Sequence, residues 1–227
     1  MTRTEVFLDT FFNADVMEQY LPAIIKGFYV TCEIAVLVVL SGLALGLALA
    51  VVRSYRVRAI NAVIVVFVDL LRALPPLVLI LILYFGLPNI GVTMSGYFVL
   101  WLVLTLVLAA FSEEIFWAGI LSVDQGQWQA ARSTGMGFLQ TLVYVVLPQA
   151  VRLTVAPLTN RTIAITKNTA LGMVIGVGEL LNQATTAQSF AGNATPLMMA
   201  TVAYLILFVP VVYVGRWIET RFAWKVA

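Results

Sequence analysis

The side chains able to do chemistry in this chain are charged residues set inside apolar sequence. Asp69 and Arg72 interrupt one apolar stretch, Glu113 and Glu114 a second, and Arg161 and Lys167 a third. There is no His, so a His-based catalytic triad is impossible. The single cysteine, Cys32, leaves no internal disulfide and, without His, no Cys–His zinc site. No Gly-x-Ser-x-Gly and no Gly-x-x-x-x-Gly-Lys-Ser/Thr run is present, so neither a nucleophile elbow nor a phosphate loop is encoded. What remains is charge. An ionisable group at mid-bilayer costs about 2.5–3.5 kcal/mol, so such residues pair, face the interior of a bundle or line a pathway.

Asp69 and Arg72 lie at i and i+3 and are placed to pair on one helix face, as a structural ion pair or beside a pathway. Glu113 and Glu114 are adjacent and cannot share a face, so one is expected to look inward and the other outward. The stretch from Gln149 to Leu181 is 33 residues, about 50 Å if wholly helical, too long for one crossing of a ~30 Å hydrocarbon layer. Arg161, Lys167, Pro157, Gly172, Gly176 and Gly178 interrupt it. The reading is a helix to about Ile165, a break at Lys167-Asn168-Thr169 and a second short helix ending near Leu181. Broken helices at membrane depth are the usual pointer to a transport site. Lys167 either serves such a site or pairs with a carboxylate such as Glu179 to hold the break together. Pro75-Pro76 must bend or loosen its own span. Lys26 and Glu33, seven residues apart, are read as snorkelling or pairing.

The elements that position these groups follow from composition. Apolar residues are 62% and charged residues 11% of the 227, against about 45–50% and 25% in soluble domains. The chain is an integral membrane protein, all-α because its apolar runs are continuous rather than alternating. Five transmembrane helices are expected, over about residues 24–52, 59–85, 97–120, from Pro148 onward, and 196–215. Lys and Arg concentrate at 53–58 (RSYRVR), in the 121–147 connector with Arg132, and after Gly215 (Arg216, Arg221, Lys225), whereas residues 86–96 and 182–195 carry no charge. The positive-inside rule puts the N-terminus outside and the C-terminus inside. Residues 1–20 form an N-terminal segment, whose stretch 4–20 is either a short interfacial helix with Phe7, Phe11 and Phe12 in one sector or an unstructured end. Residues 21–220 form one transmembrane domain, and 221–227 a cytoplasmic tail. A net charge of +2 gives no basis for nucleic-acid binding.

The 121–147 connector is too long for a simple turn. Ser122 or Asp124 is placed to cap a first helical piece containing Trp128, Ala130 and Ala131; Gly135 and Gly137 break it; a second piece runs from Phe138 to Val146, and Leu147-Pro148 ends it. Such a helix–glycine–helix unit is either a docking knob for a soluble partner or a helix lying on lipid.

The run QAARSTG, nine residues, then VVLP resembles the EAA loop of ABC importer permeases, whose pattern is Glu-Ala-Ala, three residues, Gly, nine residues, Ile-x-Leu-Pro. Ala130, Ala131, Gly135, Leu147 and Pro148 match; Gln129 stands for the Glu and Val145 for the Ile. Gly126-Gln127-Trp128 and Leu147 to Ala150 resemble the polar amino-acid (histidine, glutamine, arginine) branch, as do YFGLP at 84–88, KNTAL at 167–171 and IGVGEL at 175–180. The resemblance covers about residues 20–220. It implies the MetI-like permease fold and a type I ABC importer subunit of the bacterial inner membrane. The implied partners are two ATP-binding cassette subunits, a second permease (identical or sister), a periplasmic amino-acid-binding protein, the amino-acid substrate and the bilayer. ATP is bound by the partner subunits and this chain carries no cofactor or catalytic residue. Gln129, Ala130, Ala131, Arg132 and Gly135 are the implied ATPase-coupling residues.

Two departures from the pattern matter. Gln129 removes a charge from the loop, and RALPPLVL at 72–79 is less polar than the family's Arg-Gly-Thr-Pro-Leu-Leu-Val-Gln. For an amino-acid substrate, Lys167, Arg161 and the amides after Thr169 suit the carboxylate, and Glu114 or carbonyls freed at the break suit the ammonium. The substrate-pathway candidates are therefore Lys167, Asn168, Thr169, Arg161, Glu114 and Arg72. A secondary transporter or channel without an ATPase is the rival reading; the docking-type connector and the lack of a detectable inverted repeat weigh against it.

Overall fold

The computed structural model describes residues 2–222; the expected tail, with Lys225, lies largely outside the described residues. The described chain is almost wholly helical, with no strand among the described residues. In order the helices are α1 (Arg3–Phe12), α2 (Ala14–Ser54), α3 (Arg58–Ala73), α4 (Pro76–Leu81), α5 (Gly96–Ser122), α6 (Gln125–Ser133), α7 (Phe138–Thr141), α8 (Leu147–Lys167), α9 (Leu180–Ala191) and α10 (Thr195–Phe222). Four helical stretches are long and apolar enough to cross a membrane: 3–54, 96–122, 138–175 and 195–221. The pair α3 and α4, with its continuation to Ile90, is long and apolar enough only when taken together and is bent by 101° at Leu74-Pro75, which makes five crossings if the pair is one span. The bend has a local cause. Leu74 is extended (φ −91°, ψ 135°), as a residue before proline must be, and Pro75-Pro76 offers no amide donor to continue the ladder.

Contacts divide the chain into two compact units. The first gathers the described residues up to Val38, 76–104 and 165–211; the second gathers 39–75, 105–164 and the described residues from Val212 onward. In the first unit Ile24, Leu180, Ala184 and Ala200 form the core, with Phe28, Leu197 and Tyr204 packed on it. Here α1 carries a capping box between Thr2 and Glu5. It is tied down at its far end: the Ala194 amide donates to Thr10 O (3.1 Å), and Asn193 Nδ2 donates to Asp9 O (2.8 Å). The helix that contains the first expected span therefore begins well ahead of residue 24. Asn13 Oδ1 accepts from the Val16 amide and starts α2 at Ala14, so a polar turn precedes the apolar run.

In the second unit Ala50, Phe116, Ile120, Val123, Leu142, Val146, Ala150 and Leu158 form the core. Two glycines set its helix spacing. A Cβ on Gly46 would stand 2.9 Å from Ala109 O, and one on Gly119 would stand 3.0 Å from Ala150 O. The core turns of α2 and α8 thus approach α5 more closely than any larger residue permits.

Two sequence expectations are corrected. Leu147-Pro148 does not end the segment after Phe138; α7 passes through a π turn, Leu142–Val146, directly into α8. The Leu147 amide donates to Leu142 O, five residues back. A proline clashes with the carbonyl four residues before it, and the wider turn moves the ladder out of that register. The same arrangement, a π turn at Ile82–Gly86, precedes Leu87-Pro88. The second correction concerns 182–195, expected as a connector. Most of it is α9, capped by Glu179 and closed by Gly192 in the left-handed region (φ 59°); its polar composition (NQATTAQS) hid the helix.

Gly119→Leu is expected to force α5 and α8 apart, at about 1–3 kcal/mol or more. Fluorescence-detected gel filtration and thermal unfolding in detergent should show a lower midpoint than the parent, and Gly86→Ala, where an added Cβ meets only Ile82 Cγ2 at 3.9 Å, a far smaller change than Gly119→Leu.

Candidate functional site

The break after Lys167 is present and takes a definite form. α8 ends at Lys167, residues Asn168–Ile175 form a 3-10 helix, and Gly176 turns the chain in the left-handed region (φ 71°). The second half thus stops at Gly176 rather than near Leu181. Glu179 then starts α9: its fully buried carboxylate accepts from the amides of Leu181 (2.9 Å) and Asn182 (2.8 Å), and from the Tyr204 hydroxyl (3.1 Å). A carboxylate on the amide end of a helix meets both the free donors and the positive end of the dipole. The Leu180 amide adds a 3.0 Å bond to the Thr31 hydroxyl. Glu179 therefore does not pair with Lys167. Lys167 is exposed, its Nζ 5.9 Å above the Phe208 ring. Asn168 is half-buried, and the buried Thr169 hydroxyl donates to Thr166 O (2.9 Å), bracing the turn.

In the second unit Arg53, Arg72 and Arg161 gather against α5. Arg53 Nη1 donates to both oxygens of Glu113 (3.0 and 3.1 Å), and its guanidinium lies 4.9 Å from the Trp117 ring. Glu113 is fully buried. One residue on, Glu114 looks outward, half exposed, and pairs with Arg72. Arg72 therefore turns to Glu114 rather than to Asp69 on its own helix. Both Arg72 and Arg161 rest on Phe111, at 5.4 and 3.7 Å from its centroid. A ring face attracts cations, and Glu114 supplies the negative charge that lets two guanidinium groups gather there.

Of the sequence-predicted pathway residues, Arg72, Glu114 and Arg161 come together around Phe111, whereas Lys167, Asn168 and Thr169 belong to the other unit. Arg53 and Phe111 were not among the candidates, and Glu113 was named only as one of an adjacent pair. The adjacency of Glu113 and Glu114 signalled that one faces inward. No spacing rule linked it to an arginine sixty positions away.

The connector is built as a knob. Asp124 Oδ1 accepts from the Gly126 amide (2.7 Å) and caps α6. Gln129, Ala130 and Arg132 are exposed and Ala131 is buried. The Thr134 hydroxyl donates to Ala131 O (2.7 Å), and Gly135 takes φ 88°, with open space around it. That left-handed residue reverses the chain toward α7, where Phe138 stacks on Trp128 (5.5 Å) and contacts Tyr55 (5.1 Å). A cavity of about 330 Å³ beneath α6 is lined by Arg56, Trp117, Gln125, Trp128, Gln129 and Phe138.

Comparison with known proteins gives one pattern. The family model for "Binding-protein-dependent transport system inner membrane component" matches residues 42–224. The probable glutamine ABC transporter permease protein GlnM of Bacillus subtilis is 30% identical over 210 residues, 92% of this chain and 97% of that protein. The L-cystine transport system permease protein TcyB of the same organism is 35% identical over 169 residues, 74% of this chain and 72% of its own. Among solved structures, that of an amino acid ABC transporter with histidines superposes with a TM-score of 0.81 at 30% identity, covering 90% of this chain and 96% of the other.

Removing one partner of a buried ion pair strands the other charge. Arg53→Gln is expected to cost about 3–5 kcal/mol, read as a lowered thermal midpoint in detergent. Combining it with Glu113→Gln should recover part of that loss, because no unpaired carboxylate is then left buried.

Proposed function

The chain belongs to the binding-protein-dependent transport system inner membrane component family, and on that premise we propose that it is the pathway-forming permease of an ATP-driven importer for polar amino acids. It is a multi-pass membrane protein of the permease fold, and relatives of known class are permease subunits of amino-acid ABC transporters. Its place is the bacterial inner membrane, N-terminus outside and C-terminus inside, so that the Arg-rich turn at 53–58 and the α6–α7 connector face the cytoplasm. Residues 1–20 are an interfacial segment, 21–220 the permease domain and 221–227 a tail.

The observation that carries this reading is the α6–Gly135–α7 knob: a short capped helix with Gln129, Ala130 and Arg132 outward and a glycine-only reversal behind it. Such a surface suits a groove on a soluble ATPase. Two ATP-binding cassette subunits grip two such knobs, one on this chain and one on a second permease, identical or sister. ATP is held by those subunits, so this chain needs no cofactor and no catalytic residue. Gln129, Ala130, Ala131, Arg132 and Gly135 form the contact; with Gln129 in place of a glutamate, its attraction rests on Arg132 and on shape.

The interior supplies a route for the push. Trp128 and Phe138 pack on the core of Phe116, Ile120 and Ala150, so displacement of α6 acts on α5 and α8 together. α5 carries Glu114 and Phe111, and α8 carries Arg161. Closure of the ATPase pair is thereby felt at the Arg72–Glu114–Phe111–Arg161 cluster, whose charges suit an amino acid delivered by a periplasmic binding protein; Lys167, Asn168 and Thr169, in the first unit, are separate pathway candidates. A secondary transporter has no use for a gripped knob, which keeps that alternative behind.

Gly135→Trp should release the ATPase: affinity purification of the tagged chain from membranes should recover it with the parent and lose most of it with the variant. Unchanged recovery would remove the knob from the interface. Lys167→Ala should reduce amino-acid uptake in reconstituted vesicles about tenfold, with the complex still assembled; undiminished uptake would take Lys167 out of the pathway.

A further inference from the structure

Two strings that lie apart in the sequence, Gly126-Gln127-Trp128 on α6 and Leu147-Pro148-Gln149-Ala150 at the head of α8, meet in the second unit. Their meeting point is the Gln149 side chain. Its amide nitrogen carries two hydrogens and uses both. One goes to Val145 O, four residues back in the π turn, at 2.8 Å; the other goes to Gln127 Oε1 of α6, at 3.4 Å. A main-chain carbonyl can only accept, so Val145 O decides which end of the amide faces it.

The π turn explains the first of these bonds. The Leu147 amide donates five residues back, to Leu142 O, and Pro148 has no amide to donate. The carbonyls just ahead of the proline are therefore one donor short, in a stretch where Leu142 and Val146 are fully buried. Gln149 supplies a donor from its side chain.

The surroundings explain the second. α6 packs directly on this turn, and Trp128 lies against the cluster that contains Leu142 and Val146. On its α5 side α6 is less well backed, because the cavity of about 330 Å³ separates it from Trp117, Ile120 and Leu121. A void has no atoms to carry a push, whereas packed side chains and a hydrogen bond do. Gln127 is itself held in place. It follows the Gly126 amide that Asp124 caps, and its own amide donates to Asp124 O (3.0 Å). Gln127 is exposed and Gln149 half-buried, and neither is among the residues assigned above to the ATPase contact.

We infer that Gln149 is a positioning residue of the coupling step: it ties α6 to the widened turn at the root of α8, so that a displacement of the knob is passed to the helix that carries Arg161. The assignment rests on the importer role proposed above and adds a polar link to its apolar route. Without that link α6 can be gripped and moved while α8 lags, and ATP is hydrolysed without transport.

The test uses the whole transporter, this chain with its ATPase, any sister permease and the periplasmic binding protein, reconstituted in proteoliposomes. A panel of labelled amino acids identifies the one taken up best, and its uptake and the ATP hydrolysis are then measured on the same vesicles. Gln149→Leu keeps the bulk of the side chain and removes both N–H groups. It should leave the ATPase bound and hydrolysis within about twofold of the parent, with uptake about tenfold lower. Gln149→Lys, whose ammonium can donate to both acceptors, should bring uptake back to within about threefold of the parent. Gln127→Leu, at the exposed end of the link, should raise the ATP hydrolysed per amino acid carried in the same way, and it carries the test if Gln149→Leu does not assemble. Joined to Gln149→Leu it should add little, since one link is broken only once. Parental uptake in Gln149→Leu, uptake and hydrolysis falling in step, no recovery in Gln149→Lys, or a double variant whose loss is the product of the two single losses overturns the assignment. A parent complex that holds no ATPase, or takes up none of the panel, instead sinks the importer role beneath it.

Discussion

In hydrocarbon, every amide and every charge must find its partner inside the protein, and the rest of this architecture is arranged around that rule. α5 shows it most clearly. It is the most enclosed of the four long spans, 61% buried over its apolar window against 6% for α10, yet it carries two adjacent carboxylates. Each is met by an arginine from a different helix, Glu113 by Arg53 of α2 and Glu114 by Arg72 of α3. These bonds fix the rotation of α5, and with it the position of Phe111, on which Arg72 and Arg161 rest. Glycine at 46 and 119 lets the neighbouring helices come close enough for this order to persist.

The same rule governs where the chain stops being an α-helix. After Lys167 it tightens to 3-10, turns at Gly176 and restarts with a buried carboxylate on the new helix's free amides. The irregular backbone is thus paid for by Glu179, Thr31 and Thr169 with hydrogen bonds rather than by water. Glu179 thus holds the turn whose main chain lines a cavity beside Lys26.

Much of this was legible in the sequence, and what was not has physical reasons. Run length and charge distribution showed the spans, the bend at Pro75-Pro76 was forced by covalent chemistry, and Asp124 and Gly135 were readable as a cap and a reversal because those roles depend on one or two neighbouring residues. Long-range pairings were not readable: Arg53 with Glu113, or Lys26 sharing a cavity with Tyr97, are set by packing. Local rules even misled, since the i, i+3 spacing favoured Asp69 for Arg72 and the lone carboxylate at 179 looked like a mate for Lys167. α9 escaped notice because its Thr, Gln and Asn residues resemble a loop until its cap is seen to be Glu179. The proposed pathway residues split in the same way: only the fold decides that Arg161 meets Phe111 while Lys167 lies over Phe208.

The π turn before Pro148 has a bearing on the permease's history. Such a turn amounts to one extra residue wedged into a continuous helix. Loss of one residue between 142 and 146 would let an ordinary α turn close in its place and leave the downstream face of α8 where it stands. The same loss in the regular coil between 149 and 160 has no such reserve and would swing Arg161 by about 100° around the axis, away from Phe111. That five-residue window is thereby the place in α8 where a lineage of such transporters should tolerate a one-residue change of length best.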